Sequence, residues 1–373
     1  MKRIALTATA VAAAAALALA GCASGERGGS DAGSSESAGG FAADATIGVA
    51  LPDKTSENWV LAGGLFESGL RDAGFKPDVQ YAPASNTVAE QQNQISAMIT
   101  NGAKVIVIGA KDGKQLGTQL QQAADAGVKI IAYDRLLENS ENVDYYVAFD
   151  NFKVGQLQGE ALLEGLAARS GHEAPWNIEL FSGSPDDANS AVFFNGAMDV
   201  LQPKIDDGTL VVASGQTEIA QTATEGWLAE NAQSRMDSLL TSTYGDKEID
   251  GVLSPNDTLA RAILTSAQQA GKDVTKITVT GQDSEVESVK SIMEGIQYST
   301  INKDTTLLVE QTIKMIEQLQ KGEEVDVNDT EQYDNGVKVV PAYLLDPVIV
   351  TKENAAEAYA NNPNLLEIVT AAQ

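Results

Sequence analysis

Five places in the chain set an acid or an amide directly behind a short apolar run. Ile130-Ile131-Ala132-Tyr133 leads into Asp134-Arg135, and Val147-Ala148-Phe149 into Asp150-Asn151. Val252-Leu253-Ser254 leads into Pro255-Asn256-Asp257, and Val279-Thr280 into Gly281-Gln282-Asp283. Tyr298-Ser299-Thr300-Ile301 leads into Asn302-Lys303-Asp304. A carboxylate only accepts hydrogen bonds, arginine and lysine only donate, and an amide does both. Singly, each tip is a polar turn or a helix cap. Repeated five times, they fit a cleft for a ligand rich in hydroxyls.

The elements that must hold these tips follow from the apolar runs. Short runs with β-branched residues read as strands buried on both faces, as in a parallel sheet. Open parallel sheets bind ligands beyond the carboxyl ends of their strands. The spacing predicts strands at 47–51, 79–81, 104–108 and 128–133, alternating with helices at 58–73, 87–100 and 115–126. The rhythm restarts after Asp150-Asn151, which is expected to act as a hinge or cap. Helices are predicted at 153–168, 189–201, 229–240, 259–270 and 286–293, and strands at 178–181, 210–213, 252–253 and 277–280. A strand at 297–301, a helix at 305–319 and extended segments over 337–350 close the pattern. Alternating βα units give parallel sheets with helices on both faces. The expected fold is therefore α/β, with two doubly wound parallel-sheet lobes joined by a hinge. Inter-domain clefts favour small ligands, and hinge closure would follow.

At 373 residues the chain has room for two such lobes. Its formal charge is −27. Nucleic acid and anionic lipid surfaces call for a basic footprint, so neither is an expected partner. Residues 1–21 read as a signal peptide: Met1-Lys2-Arg3, then an apolar run over 4–20. Loss of Lys2 and Arg3 takes the charge to about −29. Leu19-Ala20-Gly21-Cys22 has the small-residue pattern of a bacterial lipobox, with Cys22 lipidated as the new N-terminus. Cys22 is the only cysteine, which excludes an intramolecular disulfide. Residues 22–43 are expected to be this lipidated cysteine and a flexible tether. Of residues 23–43, 11 of 21 are Gly or Ser, giving a reach of about 25 Å.

Several motifs together are similar to one family. They are Ala132-Tyr133-Asp134-Arg135, Phe149-Asp150-Asn151, Gly183-Ser184-Pro185-Asp186-Asp187, Ser214-Gly215-Gln216, Ser254-Pro255-Asn256-Asp257 and Gly281-Gln282-Asp283. They resemble the periplasmic sugar-binding proteins of ABC transporters in the ribose/galactose/xylose group. The likeness is greatest to the D-xylose-binding proteins and the multiple-sugar receptors, and it runs over about 45–354. The resemblance implies the type I periplasmic-binding-protein fold. It implies lobes of 44–151 plus about 303–338, and 152–302 plus about 339–373. It further implies that Asp134 and Arg135 bind sugar hydroxyls from the first lobe, and Asn189, in the loop after Ser184-Pro185, from the second. Asn256, Asp283 and Lys303 fall at further polar contact positions, and Trp59 and Trp227 where aromatic rings stack on the sugar. Two departures stand out. Asn58 occupies a position that is Arg in the xylose-type pattern, and Asp187-Ala188-Asn189 replaces Asp-Asn-Asn. Lys54 is the expected substitute for the missing positive charge.

The implied protein is a monomeric, exported and lipid-anchored solute-binding protein on the outer face of the membrane. It delivers a monosaccharide such as xylose, glucose or galactose to an ABC permease. The alternatives are an exported carbohydrate hydrolase and a sugar chemosensing receptor without transport. A hydrolase would need two carboxylates flanking one bond, such as Asp134 and Asp283. Arg135 is expected to hold the Asp134 pKa down and make it an acceptor rather than an acid. No serine elbow, zinc helix motif or phosphate loop is present, so no enzyme activity and no cofactor are expected. Asp186-Asp187 lacks the further ligands of a cation loop, so no metal is expected. His172 is expected on a solvated loop.

Overall fold

The computed structural model describes residues 40–54, 56–83 and 88–372. The expected signal segment and Cys22 lie outside them. The first lobe opens with β1 (Thr46–Leu51), α1 (Glu57–Asp72), β2 (Lys76–Tyr81), α2 (Val88–Thr100), β3 (Val105–Ile108), α3 (Gly117–Asp125), β4 (Lys129–Tyr133) and β5 (Tyr145–Phe149). The chain then crosses to the second lobe. There it forms α4 (Asn151–Arg169), β6 (Trp176–Leu180), α5 (Ala188–Asp206), β7 (Leu210–Val212), α6 (Ile219–Thr222), α7 (Ala229–Ser242) and β8 (Gly251–Leu253). α8 (Asp257–Gln269), β9 (Thr278–Val279), α9 (Val286–Met293) and β10 (Ser299–Asn302) complete this passage. It returns for α10 (Thr305–Lys321) and β11 (Ala342–Leu345), then recrosses for β12 (Val348–Thr351), α11 (Ala355–Ala358) and α12 (Pro363–Ala371).

The first sheet has the order β11-β5-β4-β3-β1-β2 and is parallel throughout. Strand alternation sends Ile106, Ile108, Ile130 and Tyr146 into one core, and Val105, Val107, Ile131 and Val147 into the other. Both faces are therefore buried, as the uninterrupted apolar runs require. The second sheet, β7-β6-β8-β9, is also parallel, and an antiparallel β10-β12 pair stands beside it. α4 and α5 pack closely at small residues. A Cβ on Gly155 would lie 2.1 Å from the Phe193 carbonyl oxygen, so only glycine admits the approach.

Two expectations change. β11 pairs with β5 in the first sheet, so the last crossing falls at Asp346-Pro347 and not near 338. The tether does not extend to 43. Phe41 packs on Phe75, and its backbone exchanges hydrogen bonds with Gln320 through N–H (3.2 Å) and C=O (3.1 Å). His172 lies on an exposed loop as expected, with its Nε2 2.9 Å from Asp250 Oδ1.

The crossings are capped where they enter helices. Asp150 accepts from Lys153 N (3.0 Å) at the start of α4, and Asp304 from Thr306 N (2.9 Å) at the start of α10. Asn151 is buried and donates through Nδ2 to Tyr146 Oη (3.3 Å) and Asn189 Oδ1 (3.0 Å). It stands at the first passage of the chain between the lobes.

Candidate ligand-binding cleft

Between the lobes lies a cavity of about 610 Å³, walled on one side by Trp59, Asp134 and Arg135 and on the other by Trp227, Asn256 and Asp283. Clefts that hold small ligands run from about 300 to 1,000 Å³. Asn58, Asn189 and Lys303 also line it. Nine of the residues marked out by the sequence therefore meet at one place. Lys54 does not. It is exposed and sits with its ammonium 4.5 Å from the centre of the Tyr81 ring, outside the cleft wall. Besides Lys303, Lys111 lies on the cleft, where it pairs with Asp53 at 3.1 Å.

Asp134 follows β4 with φ at 61°, a conformation that costs a non-glycine residue about 1–3 kcal/mol. Its backbone is pinned on both sides. Its N–H donates to the Val147 carbonyl (2.8 Å), and its C=O accepts from Tyr146 Oη (2.7 Å) and Asn189 Nδ2 (2.7 Å). Among the described residues its carboxylate accepts no hydrogen bond. Burial pushes its pKa up, against the pull of Lys303 and Arg135 and with a further push from Asp187 and Asp283. Arg135 lowers it as expected, but desolvation is the larger effect and the net shift is upward. Arg135 is also committed elsewhere: Nε lies 3.2 Å from Asp187 Oδ2, and Nη1 donates to the Ala110 carbonyl (3.0 Å). The Arg135 guanidinium lies 5.5 Å from the centre of the Trp59 ring.

The opposite wall repeats the strain. Trp227 and Asp283 have φ of 55° and 97°. Asp283 bonds Lys303 Nζ at 2.9 Å. Burial alone would lower the Lys303 pKa, but Asp283, Asp134 and Asp187 outweigh it and hold the ammonium above the ordinary lysine value. Asn256 caps α8, its Oδ1 accepting from Leu259 N at 2.9 Å, which leaves its amide N–H₂ for the cleft. Trp227 is seated on Gly183, where a Cβ would meet its ring at 2.2 Å.

Asn189 lies in the first turn of α5, within the helix predicted at 189–201, and is 3 % exposed. Its Nδ2 reaches Asp134 C=O, while its Oδ1 accepts from Tyr146 Oη (3.2 Å) and Asn151 Nδ2 (3.0 Å). Most of its hydrogen-bonding capacity therefore joins the lobes. Asp187 also bridges them, through Arg135, and the sequence reading gave it no role. Asp53 and Lys111 were missed as well. Both follow β1 and β3 after short turns, so they carry the same signal as the tips that were found.

Residues 47–324 match the family model described as a periplasmic binding protein domain. The chain belongs to the periplasmic binding protein family. It is 50% identical over 318 residues to the multiple sugar-binding periplasmic receptor ChvE of Rhizobium radiobacter, covering 84% of this chain and 89% of the receptor. An ABC transporter solute-binding protein from Clostridium phytofermentans, solved with β-D-glucose, superposes with a TM-score of 0.81 and 42% identity, covering 86% of this chain and 99% of that one. A carbohydrate transporter solute-binding protein from Chloroflexus aurantiacus, solved with D-glucose, gives 0.76 and 33%, covering 85% and 95%. These relatives are binding receptors and not enzymes. The resemblance read from the motifs and the two-lobed type I fold are both borne out.

Proposed function

We propose that the chain is an exported, lipid-anchored receptor that takes one neutral monosaccharide into the cleft and delivers it to an ABC permease. The observation that carries this reading is the Asp134 carboxylate: half-buried, lining the cleft and without a protein donor among the described residues. A pair of adjacent sugar hydroxyls supplies the donors it lacks. Such charge-assisted bonds contribute about 1.5–3 kcal/mol each. The remaining Arg135 donors, the Asn256 amide, and Asp283 with Lys303 engage the other hydroxyls. Trp59 and Trp227 cover the apolar C–H faces. Asn58 does so little for charge that glucose, bound by two similar proteins, is favoured over xylose as the first ligand to try.

In the mechanism, sugar docks on the Asp134 wall, the hinge closes, and the second lobe completes the bonds. The closed form then engages the permease. A melting series of the chain from Ala23 onward against pentoses and hexoses tests the reading. Ligand at a thousand times its dissociation constant stabilises by about 4 kcal/mol. A clear shift with one or a few monosaccharides is the expected result, and no shift with any of them would reject it. Incorporation of labelled fatty acid, abolished by Cys22→Ser, tests the anchor.

A further inference from the structure

A separate set of contacts joins the lobes through α1 and α9. Ser56 caps α1 by accepting from Asn58 N (3.3 Å), which sets Glu57 at the first helical position. Glu57 Oε2 accepts from the N–H of Val286, the first residue of α9 in the other lobe, at 3.2 Å. The N-cap residue of α9, Glu285, makes no capping bond of its own. Its carboxylate is spent on Thr258 (2.8 Å) and Arg261 (2.6 Å). The next residue of α1 adds to the contact, Asn58 Nδ2 donating to the Asp283 carbonyl at 3.3 Å.

The leading N–H groups of a helix have no intrahelical acceptor, and that end favours negative charge. Here α9 takes a capping acceptor from the opposite lobe. The bond exists only when the lobes are together, and Glu57 is not part of the cleft wall. We propose that Glu57 is a closure latch, a positioning residue that sets the closed fraction and hence the dwell time of the ligand without touching it. The dwell-time arm rests on the sugar-binding reading; the closure arm does not.

Because the latch stands outside the ligand, its loss acts on every ligand alike. In the chain from Ala23, which contains all the described residues, Glu57→Ala should raise the dissociation rate of glucose, galactose and xylose by one common factor. That factor is about fivefold, or about 1 kcal/mol. Glu57→Gln keeps an acceptor oxygen but loses the charge, and should fall between wild type and Glu57→Ala. Stopped-flow release measures both. An unchanged rate, or a factor that differs from sugar to sugar, would overturn the latch. The second arm needs no sugar. Cys22 is the only cysteine, so Asp72→Cys on α1 and Glu294→Cys after α9 give unique spin-label sites on the two lobes in the chain from Ala23. Without ligand, Glu57→Ala should move the interlobe distance distribution toward longer values. An unmoved distribution overturns the latch, whether or not wild type binds sugar. Failure of wild type to bind any sugar, with the distribution still shifted, rejects the ligand reading and keeps the latch.

Discussion

Asp134, half-buried, and Asp257, fully buried, both follow the carboxyl ends of strands, yet their surroundings are opposite. Asp257 Oδ1 accepts from Gln297 Nε2 (2.8 Å), and its Oδ2 accepts from Thr300 Oγ1 (2.9 Å) and Glu285 N (3.0 Å). Asp134 has its backbone tied down and its carboxylate left to the cleft. In both, burial is the main force that raises the pKa. Burial and a shifted pKa therefore do not separate a binding acid from a structural one; the count of protein donors does. Asp257 holds α8, α9 and β10 together. Asp134 is presented, strained and unsatisfied, to whatever enters.

The largest expected effect exploits that contrast. Asp134→Ala should weaken sugar binding at least about 100-fold, from the loss of two charge-assisted bonds. Its melting temperature without sugar should stay at or above that of wild type, because a desolvated acid is removed. Calorimetry and a melt check both halves. Asp257→Ala should do the reverse. Its three donors lose their acceptor at about 1 kcal/mol or more each, so the melting temperature falls by roughly 5 °C while affinity in the folded protein changes little. If the two variants behaved alike, the distinction would collapse.

Gly183→Ala sharpens the account of the second wall. The added methyl meets the Trp227 ring at 2.2 Å and Ser190 Oγ at 2.5 Å, so the ring must move. Affinity should drop by about tenfold, with about 1–3 kcal/mol of overpacking visible in the melt. The smallest effect is on pH. The folded Asp134 pKa lies above the ordinary 3.8, so the carboxylate protonates earlier on acidification than a free aspartate. Sugar affinity should fall a few-fold through that window. The unliganded protein should gain stability over the same window, because the folded state binds protons the unfolded chain has released. Asp257, raised in the same direction, adds to that gain. Titrating affinity and melting temperature together distinguishes the two trends.

Much of this was legible in the sequence. Apolar runs ended by polar tips are what a parallel sheet with a cleft demands, and Asp134, Arg135, Asn256, Asp283 and Lys303 converge for that reason. What was not legible depends on direction and on distant partners. Lys54 and Lys111 both follow strand ends, but only the structure tells which side chain turns inward. The bonds of Asn189 to Asp134, Tyr146 and Asn151 were not legible, because those partners are remote in sequence. The last crossing lies later than the resemblance implied, because Ala342–Leu345 pairs with β5 at the edge of the first sheet. α12 was missed although Asn362 caps it and Pro363 opens it, both ordinary helix-start signals.

The central claim is that the Asp134 carboxylate is the principal anchor of a monosaccharide in this cleft. A crystal structure of the protein with glucose tests it most directly. The account predicts one sugar ring between Trp59 and Trp227, with two adjacent hydroxyl oxygens about 2.5–3.0 Å from the Asp134 carboxylate. A sugar bound with Asp134 uncontacted, or bound outside the cleft, would contradict it.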